Sequence, residues 1–118
     1  MNKIVYLCED TPDGIFTAIY DAWEARLPDD VLSLRVERNY EMELFAQCRY
    51  VQTDMEKEGK VARSVKSKIS HEAYYMIYYA SLSYEKDKID CIYRFLKMGF
   101  SRAQSVLLVH LLCLFIGL

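Results

Sequence analysis

Lys57, Lys60, Arg63, Lys66 and Lys68 form the strongest chemical signal in the chain, opposed by Glu58 alone between positions 57 and 68. Wound into a helix, these cations share one broad side with Ser64 and Ser67. Met55, Val61, Ala62, Val65 and Ile69 take the other side. Ammonium, guanidinium and hydroxyl groups all donate to phosphate oxygens, so the pattern suits contact with a nucleic-acid backbone. An ordinary solvated helix face would read the same way, because the rest of the chain is acidic enough to balance it. Both readings stand at this point.

Other reactive residue types are present but scattered. Tyr74, Tyr75, Tyr78 and Tyr79 would stack in two columns on a helix, 74 with 78 and 75 with 79. Phenols so spaced pack at the edge of a core with their hydroxyls at its rim, or they offer a stacking surface to unpaired bases. The expectation is packing. His71 and His110 have no neighbouring Cys, Asp or Ser at a spacing that makes a triad or a metal triplet. Cys8, Cys48, Cys91 and Cys113 contain no close pair of the kind zinc sites use. They are expected to be small buried hydrophobes with reduced thiols. Gly14, Gly59, Gly99 and Gly117 are isolated, which excludes a glycine-rich phosphate loop. Glu9, Asp10 and Asp13 cluster at a strand-to-helix turn, where α/β proteins bind ligands. Capping and turn formation explain them equally well. No catalytic residues, no metal site and no cofactor are expected.

The elements that must position these groups follow from periodicity. Residues 4–8 (Ile-Val-Tyr-Leu-Cys) form a short apolar run that reads as a strand. Thr11 is the expected N-cap of the next helix, with Pro12 in its first position and Asp13 near its positive end. Ile15, Ala18, Ile19, Ala22 and Trp23 then line one helical face, with Thr17, Asp21 and Glu24 opposite. Val31 to Glu37 alternates weakly and reads as a second strand, and the intervening helix permits parallel pairing with the first. Residues 39–52 read as a loop with a short helix. Thr53 through Glu56 fits a capping box. Four helices are expected after it, over 54–69, 71–83, 87–98 and 102–116, with Ser70 and Ser101 as starts and Gly99 as a left-handed cap. Asp90 and Arg94 are expected to pair on the outer side of the third.

Composition bounds the answer. The chain has 118 residues, of which 53% are hydrophobic and 27% charged, with a net charge of −2. That is globular, and too near neutral for a polyelectrolyte binder. Val106 to Leu118 (VLLVHLLCLFIGL) is apolar all round and must be covered. It falls short of the ~20 residues that span a bilayer. A core or interface helix is therefore expected and a membrane anchor is not. The first residues lack a signal-peptide pattern, which points to the cytoplasm.

Several segments taken together resemble a known family. They are residues 13–18 (Asp-Gly-Ile-Phe-Thr-Ala) with Ala22 and Glu24, then Val51-Gln52-Thr53-Asp54 leading to Lys60-Val61-Ala62-Arg63 and Ile69-Ser70. Ile77-Tyr78, Ala80 through Ser83, and Ile92 through Phe100 complete the set. In order and spacing, residues 4–100 resemble the N-terminal half of the bacterial "probable DNA metabolism protein" family. Members are encoded beside a radical-SAM protein related to spore photoproduct lyase, or are fused to a uracil-DNA-glycosylase-like domain. Beyond Phe100 the likeness ends, as in a truncated or frame-shifted member.

The expected fold is α+β and predominantly helical. A small two-stranded sheet (strand-helix-strand) in 1–52 is followed by about four helices in 53–118, within a single domain. The resemblance implies a non-catalytic accessory module of DNA metabolism or repair. Its DNA contacts would run through Lys57, Lys60, Arg63, Lys66 and Lys68, and its partner would be a radical-SAM or uracil-DNA-glycosylase-like protein. The alternative is an interaction fragment with no nucleic-acid role, forming a homodimer through Val106, Leu107, Val109, Leu111, Leu114 and Phe115.

Overall fold

Thr11 starts the helical part of the molecule as its type predicts. Its hydroxyl accepts from Gly14 N at 3.0 Å, and its extended backbone leads into Pro12 at the first helical position. In the computed structural model, which describes residues 3–38 and 40–102, this helix follows the first strand directly. The elements in chain order are β1 (Lys3–Cys8), α1 (Pro12–Ala25), β2 (Leu32–Val36), β3 (Ala46–Tyr50), α2 (Met55–Lys68), α3 (His71–Ser81) and α4 (Lys88–Arg102).

The sheet has three strands, where sequence reasoning expected two. Their order is β2-β1-β3 and every pairing is parallel. Ile4 and Tyr6 of β1 lie beside Leu32 and Leu34 of β2, while Val5 lies beside Cys48 of β3. The third strand occupies the segment read as a loop with a short helix. Its sequence, Ala-Gln-Cys-Arg-Tyr, offers only the small Ala46 and Cys48 to the half-buried side, while Gln47, Arg49 and Tyr50 are exposed, as suits an edge strand.

The hand of the chain explains the connections. β1-α1-β2 moves across the sheet in one direction and β2-β3 moves back, so right-handed crossovers must use opposite faces. The 37–45 connection accordingly meets Cys48, whose Sγ lies 4.0 Å from Met42 Sδ. On the other face, Tyr6, Cys8, Leu32 and Leu34 join Ile15, Phe16, Val65, Ile77 and Leu96 in the core. α1 contacts β1, β2 and all three other helices.

Several local expectations change once the helices pack. The helical pattern puts Thr17 on the outer side of α1, yet it is 0% exposed. α2 covers that side, and Thr17 Oγ1 accepts from Asp54 N at 3.1 Å while lying 2.7 Å from Asp13 O. Asp54, not Thr53, caps α2: its carboxylate accepts from Glu56 N at 2.9 Å and Lys57 N at 3.3 Å. Thr53 Oγ1 instead donates to Glu9 Oε2 at 3.1 Å. Ser70 caps α3 as expected, accepting from Ala73 N at 3.0 Å.

Of the tyrosines of α3, only Tyr74 packs as expected: it is half-buried, with its ring 5.9 Å from that of Phe16. Only Ala73, Ile77 and Ser81 of that helix are buried, and Tyr75, Tyr78 and Tyr79 are exposed. The helix lies at the edge of the bundle with a single covered side. Nor does Gly99 end α4, which continues through Ser101 to Arg102. Phe100 stays helical and meets Trp23 at a ring distance of 5.3 Å. Asp90 does not pair with Arg94. It turns inward, accepting from Leu34 N at 2.8 Å and forming an ion pair with Arg35, and so seals the outer edge of β2. Of the cysteines, Cys8 is buried as expected, but Cys91 is exposed. The helix expected over 102–116, with the interface residues Val106 to Phe115, lies outside the described residues.

Candidate nucleic-acid interface

The five basic residues all belong to α2, but the fold divides them. α1 runs along one flank of α2 and α3 along the other. On the α1 flank, Lys57 donates to Asp21 at 2.8 Å, and this bond holds its ammonium above the usual lysine pKa. Much of its charge is thereby spent inside the protein. Lys60 lies 5.8 Å from the centre of the Tyr20 ring and makes only a loose contact, 3.8 Å, with Glu56. On the α3 flank, Lys66 sits 4.3 Å above the Tyr74 ring. Burial and the nearby Asp13 raise the pKa of Glu58, opposed by Lys66 and Arg63. Arg63 is exposed, and a Cβ added at Gly59 would lie 3.0 Å from its Nη1, so the guanidinium folds back over that glycine. Arg63 and Lys66 do not line the groove that holds Lys60 and Lys68, although Arg63 is only one turn along α2 from Lys60.

Lys60 and Lys68 instead line a groove of about 740 Å³ between α1, α2 and the end of α4. Ser64 and Ser67 lie between them along α2, as the helical wheel requires. Opposite stand Tyr20, Trp23 and Arg26 of α1, with Phe100 closing the α4 end. Ile19 and Val61 form an apolar floor. Three cations thus face one carboxylate, Glu24, around an aromatic interior.

Sequence reasoning missed the α1 half of this site. The periodicity puts Trp23 on the apolar stripe, but it is 41% exposed. Edge-on contacts with Tyr93 and Phe100 hold the indole in place. Arg26 ends α1 in the left-handed conformation, φ 54°, with its N–H bonded to Trp23 O. A cation is favoured there because the helix dipole is negative at that end. The usable signal was the i, i+3, i+6 spacing of Tyr20, Trp23 and Arg26, which marks the margin of the apolar stripe.

In the acidic cluster at the end of β1, Glu9 and Asp10 are held in structural bonds. Lys88 is 6% exposed, and its ammonium donates to Asp10 Oδ1 at 2.6 Å, Ser83 O at 2.7 Å and Ser81 O at 2.8 Å. All three of its protons are used. Asp10 also accepts from Arg38 at 3.2 Å. The network sits at the carboxyl end of β1 and forms part of the wall of a cavity of about 690 Å³ shared with Arg35, Val36 and Tyr40. Among the described residues no group of His, Cys, Asp and Glu side chains could hold a metal ion, and no helix is long and apolar enough to cross a membrane.

Comparison of the chain with family models, with curated proteins and with solved structures returned no match. Function therefore has to be read from the site itself.

Proposed function

We propose that this protein is a non-catalytic accessory module of DNA metabolism or repair that contacts nucleic-acid phosphates through the α1–α2 groove. The observation that carries the reading is the ring of Arg26, Lys60 and Lys68 against a single carboxylate, with Ser64 and Ser67 between them. Of the original five residues, Lys60 and Lys68 are central. Lys57 is a supporting neighbour, and Arg63 and Lys66 belong to the adjacent flank. The likeness to the DNA metabolism family supports the same reading and suggests a radical-SAM or uracil-DNA-glycosylase-like partner in the cytoplasm.

Releasing counterions at about three phosphates makes log K fall against log salt with a slope of about −2 for single strands. Electrophoretic mobility of labelled DNA at low salt is the test. Lys60→Glu with Lys68→Glu should abolish the shift, whereas Lys66→Glu should weaken it only modestly. Unchanged mobility of single- and double-stranded DNA with the native chain would overturn the proposal.

The second reading is an interaction fragment that self-associates through Val106 to Phe115. It is favoured by the apolarity of that sequence, broken only by His110. Sedimentation giving a monomer at micromolar concentration removes it.

A further inference from the structure

We infer that the groove takes an unpaired nucleobase, stacked against Trp23, and so selects single-stranded over duplex nucleic acid. The inference rests on the phosphate-contact reading above and adds the substrate class. Cations alone would serve any polyanion, but these surround a concave apolar floor made by Ile19, Trp23, Val61 and Phe100. A duplex presents phosphates on a convex surface and keeps its bases inside, so it would leave that floor uncovered. A flipped or single-stranded base has a free π-face and a phosphate on each side. Trp23 is fixed by edge-on contacts at 6.3 Å to Tyr93 and 5.3 Å to Phe100, with 41% of its surface still open. It is thus an ordered surface for stacking and loses little freedom when a base lands on it. Lys60 and Lys68, two turns apart on α2, then flank the base where its phosphates lie. An acidic peptide would satisfy the same charges but brings no flat π-face to the indole.

Trp23 is the only tryptophan in the chain, so its emission reports on the groove alone. The full-length protein is titrated with oligothymidylate, with a duplex of equal length and with polyglutamate. Tryptophan emission and the anisotropy of a labelled oligothymidylate are read in parallel. The expected result is quenching by oligothymidylate alone, with duplex binding at least tenfold weaker. Trp23→Phe should retain most of the affinity, and Trp23→Leu should lower it about tenfold, the loss of one stacked base. Binding by anisotropy without quenching, or equal affinity for duplex, would overturn the stacking inference while leaving phosphate contact standing. Equal quenching and displacement by polyglutamate would overturn both in favour of an acidic protein ligand. Absence of any binding would also remove both.

Discussion

Asp10→Ala should be among the most damaging single substitutions in the molecule, although Asp10 itself is only partly buried. The residue at risk is Lys88, whose side chain is 6% exposed while that of Asp10 is 20% exposed. Removing Asp10 leaves a desolvated ammonium facing two carbonyl dipoles, those of Ser81 and Ser83. Breaking a buried pair from one side costs about 3–5 kcal/mol. Water can reach the Asp10 side, so the lower end, about 3 kcal/mol, applies here. The bond from Arg38 is also lost, but that side chain is 64% exposed and adds little. Lys88→Met is milder, because it removes the charge that cannot be left alone. Asp10 keeps Arg38 and water, and the loss is about 1–2 kcal/mol for two carbonyl contacts. The double variant should resemble Lys88→Met, with a coupling of about 3 kcal/mol between the sites. Urea unfolding reads this directly: with a slope near ~1.5 kcal/mol/M, Asp10→Ala shifts the midpoint by about 2 M. If Asp10→Ala costs no more than Lys88→Met, the network is not what joins α3 and α4 to the sheet.

Three further outcomes follow from single positions. A Cβ at Gly14 would meet the Glu9 carbonyl at 2.8 Å, a backbone atom that cannot swing away, so Gly14→Ala should destabilise by about 1–3 kcal/mol in thermal unfolding. Arg26 holds a left-handed conformation that glycine adopts freely; Arg26→Gly should therefore stabilise the fold by up to about 1 kcal/mol while weakening nucleic-acid binding, a combination that mobility shifts and calorimetry measure together. The Cys8 thiol is pushed up to about 12 from 9.0, chiefly by burial and then by Asp10. A raised folded pKa keeps that thiol neutral while the unfolded chain ionises above pH 9, so its contribution is complete below pH 9 and is lost as pH climbs towards 12. Alkaline unfolding curves should show that loss, at up to about 1.4 kcal/mol per pH unit, and Cys8→Ala should reduce the slope.

What was legible beforehand was local. Thr11 with Pro12, and Ser70, announce helix starts because a cap is chemistry between near neighbours in sequence. The strand over 4–8 and the apolar faces of α1, α2 and α4 follow from the period of the pattern. Lys60 and Lys68 stood out because nothing but a charge count is needed to see them. β3 stayed hidden: Gln47, Arg49 and Tyr50 are the residues of an exposed edge, and only the waiting hydrogen bonds of β1 make them a strand. Thr17 and Asp90 looked like solvent-facing polar residues, yet each bonds to an element more than thirty positions away.

Sequence alone therefore determined where helices begin, which faces are apolar and where positive charge gathers, since these depend on residues within a turn or two of one another. Tertiary structure decided the rest. It added a strand, turned Tyr75, Tyr78 and Tyr79 outward, paired Lys57 with Asp21, and brought Trp23 and Arg26 across from α1 to face Lys60 and Lys68. The physical reason is that a groove is a property of two packed surfaces, and neither helix encodes the other's position.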